Sequence, residues 1–276
     1  MTNNERLKEE FMMKSKLPML AILKKDFRGV AANKRMFAAL WAVPLVFTAF
    51  LPALFLVVLR FLPQDAGELQ KLLTLLPAEK QSGEIEPTLL GLFLNYLLPV
   101  FFLLIPIMAS SIMAATSFVG EKEKRTLETL LYAPLTLRQI FRAKVLASFL
   151  LSMLVSFLSF FVMLLVLEAG SFLLFQQLIL PEVSWALIML LVSPAVSLIA
   201  ITLMVRVSAK AQSVEEAQQG AVFLILPILL LFVGQFNGVM LLSAWLLLLI
   251  GVACAGLAVL LFQRSLKNFQ YEILLK

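Results

Sequence analysis

Long apolar runs recur along the whole of this chain, and they constrain its fold more than any other feature of the sequence. A helix needs roughly 20 mainly apolar residues to cross the hydrocarbon layer of a bilayer. Hydrophobic residues make up 61% of the 276 residues and charged residues only 14%, whereas soluble domains are about half apolar and about a quarter charged. With a mean hydropathy of +0.97, the sequence predicts an all-α, polytopic integral membrane protein.

Six of these runs are candidate transmembrane helices. Backbone groups in lipid must satisfy their hydrogen bonds internally, which favours helices for runs of this length. The fifth run is the shortest, and only a tight turn at 234–238 separates it from the sixth, so that fusion of the two would lower the count to five. The predicted spans are residues 36–62, 88–116, 145–167, 184–205, 218–234 and 239–262.

Lysine and arginine are distributed unevenly around the predicted spans. Positive charge is retained on the cytoplasmic side of a membrane protein. Most basic residues precede span one, lie between spans two and three or four and five, or follow span six, whereas only Arg60, Lys71 and Lys80 lie on the other side. Both termini are therefore predicted to be cytoplasmic. Because topology accounts for the net charge of +6, we expect no nucleic-acid partner.

The apolar runs indicate a single membrane domain, residues 36–276, after a cytoplasmic N-terminal segment, residues 1–35. Residues 63–87 form the predicted outer loop, and helical spacing at 68–76 fits either a helix lying flat on the outer leaflet or a solvated loop. The chain has no histidine and one cysteine, Cys254. The commonest metal ligand and general base is thus absent, and we expect no metal, no bound cofactor and no catalytic residue.

A dense charged segment, residues 120–144, interrupts the apolar runs between spans two and three with nine charges. Glu121 and Arg125, like Lys124 and Glu128, are opposite charges four residues apart, a spacing that stabilises a helix. Pro134 ends this predicted amphipathic helix. Its mixed charges suit a protein partner better than a lipid surface, where basic residues dominate the polar face. Its apolar face is formed by Leu127, Leu130 and Leu131.

A new helix is predicted to begin directly after that proline. Thr136 and Gln139 have the spacing of a capping box, in which the two side chains satisfy free amides at a helix start. The basic first turns of this helix, which contain Arg138, Arg142 and Lys144, would run into span three. The segment therefore predicts a short helix, a sharp turn and a second helix.

The run E-K-E-K-R-T-L-E-T-L-L-Y-A-P-L-T, residues 121–136, followed by Lys144 ten residues after the proline, resembles the signature of ABC-2-type exporter permeases. These are the membrane subunits of ATP-binding-cassette exporters, such as sodium-efflux, antibiotic-efflux and polysaccharide-export permeases. The segment SAKAQSVEEAQQG, residues 208–220, is similar to the one between spans four and five in the sodium-efflux-like branch. A third segment, LKKDFRGVAANKRMF, residues 23–37, resembles the family's amphipathic elbow helix before the first span.

The resemblance implies a permease that forms its translocation pathway as a dimer, with a second copy or a sister permease, in the plasma membrane of a prokaryote. A separate cytoplasmic ABC ATPase would bind ATP and Mg and drive it. The chain has no G-x-x-x-x-G-K-[ST] phosphate loop, which agrees with such a partner. Besides this ATPase and the second permease, membrane lipid is the only expected partner.

The resemblance also implies roles for particular residues. Residues 117–144 would be the coupling segment, with a coupling helix from Glu121 to Leu131 that docks on the ATPase, and Glu121 and Glu123 would form salt bridges with it. The coupling residues would be Glu121, Glu123, Arg125, Thr126, Leu127, Glu128, Leu130, Leu131 and Pro134. A second cytoplasmic contact would come from Lys210, Ser213, Glu215 and Glu216.

Polar residues and prolines inside the spans leave alternatives open. Ser152, Ser156 and Ser159 share one face of span three and, with Asn95, are candidates for a pathway or a subunit seam, although serines in membrane helices more often bond neighbouring helices. Prolines that can kink helices occur at 44, 52, 99, 106, 194 and 227.

Two other functions fit parts of the sequence. An ion-coupled carrier or channel without an ATPase would use the serine faces and proline-broken helices, but a proton-driven carrier would be expected to hold a charge near mid-membrane, and none is found there. A membrane-embedded enzyme would lack a catalytic pair. The cargo is left open, because the apolar character, with 23 phenylalanines, favours amphipathic cargo while the sodium-efflux resemblance favours an ion.

Overall fold

The fold is helical throughout the part of the chain that the computed structural model describes, which is residues 20–61, 85–126, 136–176, 178, 180–236 and 244–268. Within these residues, three short π-helical turns, Val46–Phe50, Phe93–Leu97 and Ile188–Val192, interrupt the α-helices. The helices are α1 (20–32), α2 (Lys34–Leu45), α3 (Leu51–Arg60), α4 (Ile85–Leu92), α5 (Leu98–Phe102), α6 (Leu104–Glu123), α7 (Leu137–Phe175), α8 (Ser184–Leu187), α9 (Ser193–Lys210), α10 (Val214–Gly220), α11 (Val222–Phe236) and α12 (Ala244–Asn268).

Five helical stretches of the described residues are long and apolar enough to cross a membrane. They correspond to predicted spans one to four and six, so the chain is a multi-pass membrane protein. We call them spans I (Met36–Arg60), II (Thr88–Glu123), III (Leu137–Phe175), IV (Ser184–Lys210) and V (Trp245–Leu266).

The predicted fifth span differs from the structure. Residues 218–220, the predicted start of that span, belong to α10 (Val214–Gly220), and α11 has 15 residues. At 1.5 Å per residue such a helix is about 22 Å long, less than the roughly 30 Å of the hydrocarbon layer. The turn predicted at 234–238 lies partly outside the described residues. Six membrane crossings are therefore not confirmed by helix length.

Spans II and III extend further than their apolar runs. Span II continues to Glu123, past the predicted end at 116, and span III begins at Leu137 rather than 145. The predicted capping box is confirmed at this start: Gln139 N donates to Thr136 Oγ1 (3.3 Å), and Thr136 N donates to Gln139 Oε1 (2.9 Å). Charged residues are thus carried on continuations of the membrane helices themselves.

Three of the predicted proline kinks coincide with the π-helical turns. Pro52, Pro99 and Pro194 each occupy the second position after such a turn. Proline lacks an N–H, and its ring crowds the carbonyl four residues earlier. The amide just before each proline instead bonds five residues back, as Ser193 N does to Ile188 O. The prolines therefore widen spans I, II and IV locally.

Span II occupies the centre of the helical bundle. Its most apolar stretch is 78% buried, against 17% for span V and 28% for span I. Trp185 of span IV packs between Phe102 and Phe160, with ring centroids 5.4 Å from each, and its Nε1 donates to Leu94 O at 3.1 Å. The end of span II that follows Ser117 is also surrounded by other elements. This end carries the charged residues.

Candidate functional site at the charged end of the bundle

Glu121, in the last turn of α6, is buried (5% exposed) although it is charged. Its Oε1 accepts a hydrogen bond from Lys25 Nζ at 2.6 Å, and its Oε2 lies 2.7 Å from Lys144 Nζ. Lys25 belongs to α1 and Lys144 to α7. A single carboxylate thereby joins α6 to the next helix, α7, and to α1, which lies 96 residues away in sequence.

Lys144 is buried in the same place (2% exposed). Its Nζ donates to the carbonyl oxygen of Ser117 and lies 5.3 Å from the centroid of the Phe118 ring. An isolated buried ammonium costs several kcal/mol, whereas one with a carboxylate, a carbonyl and an aromatic face is compensated. The charge of Lys144 is therefore tolerated only because spans II and III meet here.

Asp26 makes a second connection between α1 and α6. Its Oδ2 accepts a hydrogen bond from Ser117 Oγ at 2.7 Å. Burial raises the pKa of the Asp26 carboxyl above its usual value, while the charge of Lys144 and the Ser117 hydrogen bond act in the opposite direction. We call Lys25, Asp26, Ser117, Glu121 and Lys144 the charge cluster.

The loop after span IV is bound to the same end of span II. Lys122 Nζ donates to Ala211 O at 3.4 Å, and Val214 N donates to Glu123 Oε2 at 3.3 Å. These bonds place the start of α10 beside the last turn of α6.

Ser213, a predicted contact residue, has a local structural role at this loop. Its Oγ accepts a hydrogen bond from Glu216 N at 3.2 Å and so caps α10. Glu216 Oε2 in turn accepts from Gln212 N at 2.7 Å, which completes a reciprocal arrangement like a capping box. Lys210, Glu215 and Glu216 remain exposed.

Three sequence segments suggested a family, residues 23–37, 121–136 and 208–220, and the first and third of them each bond to the end of span II, at Glu121 and at Lys122 and Glu123 respectively. No local sequence pattern relates them to one another. We call this region, where α1, the end of span II, the start of span III and α10 meet, the charged end.

Residues 20–244 match the family model described as ABC-2 family transporter protein. The chain belongs to the ABC-2 transporter family. A search of the curated proteins found no match. The matched range begins with α1 and contains the whole charge cluster, so the resemblance to ABC-2-type permeases is confirmed. Members of this family are membrane components of transporters and are generally not catalytic themselves.

The predicted coupling helix of this ABC-2 transporter is wrong over its first residues. The helix of span II ends at Glu123, and Arg125 adopts a left-handed conformation with φ of 54°. Thr126 N donates back to Glu121 O at 2.9 Å and closes the turn. Glu121 and Arg125 therefore do not form the predicted pair on one helix. Leu127, Glu128, Leu130, Leu131 and Pro134 lie outside the described residues, so their coupling role stays a prediction.

The assignment of Glu121 to a surface salt bridge with an ATPase is also corrected. Its carboxylate is buried and paired within the chain, and it is not available to a docking protein. Glu123, Arg125 and Thr126 are exposed, and their proposed contacts stay predictions.

The serines of span III lie inside the ABC-2 subunit rather than at a subunit seam. Ser152, Ser156 and Ser159 are at most 1% exposed. Each donates to a carbonyl of its own helix, at Phe149, Ser152 and Val155 respectively, over 2.6–2.9 Å. Asn95 Oδ1 accepts a hydrogen bond from Glu182 N at 3.1 Å, which ties span II to the chain before span IV. A seam role for these residues is not supported by this placement.

Sequence reasoning missed Lys25, Asp26 and Ser117 as members of the site. Asp26 was the one available signal, since it is the sole acidic residue among the bases of residues 23–37. Lys144 was noted for its spacing from Pro134 and as a base in the first turns of its helix, but not as a buried residue. Its burial follows from the packing of span III on span II.

Proposed function

We propose that this ABC-2 transporter is the permease subunit of an exporter, with its charged end and both termini in the cytoplasm of a prokaryote. A separate ABC ATPase docks on the segment at residues 127–135 and drives transport by hydrolysing ATP. The observation that carries this proposal is the ion pair between Glu121, just before the segment, and Lys144, shortly after it.

The charge cluster gives a physical reason for efficient coupling. A docking loop attached to two independent helices would absorb a push by moving locally. Here the two flanks of the segment are bound to each other and to α1 through Glu121, so displacement of the segment acts on spans II and III together. A buried, paired charge suits this role because breaking it leaves an uncompensated ion.

The exposed charges around the segment suit a protein partner. Glu123 and Arg125 adjoin the segment, and Glu215 and Glu216 on α10 are held beside them through the Glu123–Val214 bond. Rim charges of both signs favour a specific orientation of an incoming protein more than they add affinity. We therefore propose that α10 is the second surface that the ATPase touches.

The directions in which spans IV and V run support six crossings, although α11 alone is too short to cross. Span IV ends at the charged end at Lys210, and span V also ends there, because Phe262 packs 6.1 Å from Phe141 of span III. Span V must then begin at the opposite end of the bundle. The chain between 211 and 244 therefore has to pass from one end of the bundle to the other, and α11 is the long helix among the described residues of this stretch.

We further propose that the pathway forms between two permeases. Spans I and V are the least buried of the spans, so their apolar faces are available to a second copy, a sister permease or lipid. Assembly in pairs would place the pathway between subunits.

The test uses the full chain reconstituted in liposomes with a candidate ABC ATPase. Changing Leu130 and Leu131 to Ser should abolish co-purification and stimulation of ATP hydrolysis, whereas Arg264→Glu, an exposed charge at the end of span V, should leave both intact. Unchanged association of the Leu130/Leu131 variant would refute the docking site. Gradient-driven transport by the chain alone, without ATP, would favour the carrier alternative.

A further inference from the structure

A cleft between α1 and the end of span II has no role in the function proposed above. It measures about 160 Å³ and opens to the surface beside the charge cluster. Its polar wall includes Lys25, Lys124 and Thr126, and its floor is apolar, with Val30 and Met113. A cavity with cations at its mouth and an apolar floor fits an anion that carries a hydrocarbon portion.

The lining residues Lys25, Asp26, Glu121 and Lys124 balance in charge, and the buried Lys144 beside them leaves one positive charge in surplus. Lys25 and Lys144 both pair with Glu121, and Asp26 accepts a hydrogen bond from Ser117. Lys124 is exposed. The side chain of Lys25 is 51% exposed, and because an ammonium has three donors, it can bind Glu121 and a second acceptor together.

The surface of α1 is divided into stripes in the way that interfacial helices are. Ile22 and Val30 are buried against the body of the protein, while Leu20 and Phe27 are exposed (60% and 42%). At 100° per residue these two exposed side chains share one apolar stripe. A basic stripe adjoins it at Lys24 and Arg28 and extends to Lys25, about 140° from Leu20, at the cleft; all three are exposed. On its other side the apolar stripe adjoins Val30, which lines the cleft and lies three residues after Phe27.

We propose that this cleft binds the phosphate headgroup of an anionic phospholipid, held by Lys25 and Lys124, with its acyl chain along Leu20 and Phe27. A free phosphate would contact only the two lysines. A lipid would in addition place its acyl chain against the apolar stripe. The lipid proposal rests on the proposed function only for the placement of the charged end at the cytoplasmic face of the membrane. Because Lys25 also pairs with Glu121, the bound lipid contacts the ion pair that joins α1 to spans II and III.

Gly29 offers a variant that blocks the cleft without disturbing the fold. It lines the cleft, and a Cβ added there meets nothing within 4 Å. Gly29→Leu should therefore fold normally while its side chain occupies the space of the headgroup. Gly256→Leu is the matched control, because a Cβ there also meets nothing within 4 Å and Gly256 lies in span V.

The experiment is a titration of the detergent-purified full chain with phosphatidylglycerol or phosphatidylcholine, with bound lipid counted by native mass spectrometry. We expect one saturable site for phosphatidylglycerol. Each basic contact contributes about 1 kcal/mol, or roughly 5-fold in affinity, so Lys124→Gln should weaken binding about 5-fold and Lys25→Gln with Lys124→Gln about 25-fold. Gly29→Leu should abolish this site, whereas Gly256→Leu and the charge-matched pair Arg138→Gln with Arg264→Gln should retain it.

Several results would overturn the lipid site. Equal binding of phosphatidylcholine, unchanged binding by Gly29→Leu, or an equal loss in the control pair would each show that no specific headgroup site exists. Inorganic phosphate or glycerol phosphate binding as tightly as phosphatidylglycerol would show that the occupant is a soluble anion. Lys124 lies outside the charge cluster, so its variant remains informative even if Lys25→Gln unfolds the chain. No ATPase takes part, so failure here leaves the proposed function untouched.

Discussion

Polar side chains are used differently inside the spans and at the charged end. Within the spans, Thr48 donates to Pro44 O, and Ser156 and Ser159 donate to carbonyls of their own helix. At the charged end, Lys25 reaches Glu121 across 96 residues of sequence, and Asp26 reaches Ser117. A hydroxyl can be satisfied by its own helix, whereas a buried charge needs an opposite charge, which here comes from another helix. Charges therefore fix which elements meet.

Close packing joins the helices inside the bundle, together with hydrogen bonds such as that from Trp185 Nε1 to Leu94 O. A Cβ added at Gly251 of span V would lie 2.6 Å from Leu191 Cδ2, in the π-helical turn of span IV, and 3.3 Å from Val192 Cγ2. Span V is thus fitted closely against the widened turn that precedes Pro194. The charged end and the bundle interior consequently depend on different interactions, and substitutions should separate them.

The largest effect is expected from Glu121→Ala, which leaves Lys144 buried without its carboxylate. Removing one partner of a buried ion pair costs about 3–5 kcal/mol, and we expect that loss in the free energy of unfolding, measured by titration of mixed micelles with dodecyl sulfate. Glu123→Ala is the matched control, because Glu123 is exposed and should cost less than about 1 kcal/mol. Equal losses of unfolding free energy in the two variants would show that the buried Glu121 stabilises the fold no more than the exposed Glu123 does.

A smaller loss is expected when the close contact at Gly251 is overfilled. Gly251→Val should destabilise the chain by about 1–3 kcal/mol, the usual cost of overpacking. The same unfolding titration on Gly256→Val provides the comparison, since nothing lies within 4 Å of a Cβ there. If both variants unfold at the wild-type midpoint, span V does not pack on the π-helical turn as described.

Replacing a hydroxyl that bonds its own helix should have less effect still. Ser156→Ala should change the free energy of unfolding by less than about 0.6 kcal/mol, the mean for hydrogen bonds between membrane helices, because the Ser156 bond stays within one helix. Transport by this variant should match wild type. A large loss of transport with unchanged stability would return these serines to the pathway.

The smallest effect concerns pH. Because burial raises the pKa of Asp26 above the usual 3.8, the folded state binds its proton more tightly than the unfolded state does. The contribution of Asp26 to the free energy of unfolding is thus highest at low pH, and it is lost as the pH rises through the pKa of Asp26 in the folded state. Asp26→Asn has no such titration, so its stability relative to wild type should increase from about pH 4 upward and then level off. A constant difference between pH 4 and pH 8 would show that Asp26 titrates normally.

The sequence predicts those features that depend on neighbouring residues. Apolar runs located spans I to V, and the spacing of Thr136 and Gln139 located the start of span III. The break at Arg125 was missed because charges four residues apart are compatible with a helix but do not require one. The predicted fifth span began too early because its first residues belong to a separate helix, α10, which Ser213 caps. Composition alone does not reveal the boundary between α10 and α11.

The charge cluster lay beyond prediction because its partners come from three separate parts of the chain. Local patterns placed Glu121 on an exposed helix face, where a charged residue is usually found. Its burial arises only when α1 and span III pack on span II. The family resemblance identified the right segments, but it did not indicate that they touch one another.

A double-mutant cycle of Glu121→Gln and Lys144→Met on the free energy of unfolding tests the charge cluster most directly. Residues in one ion pair typically show an interaction energy of about 0.5–3 kcal/mol. We predict that each single variant is strongly destabilised and that the double variant is less destabilised than the sum of the two by an amount in that range. Losses that simply add would show that these two buried charges do not hold spans II and III together.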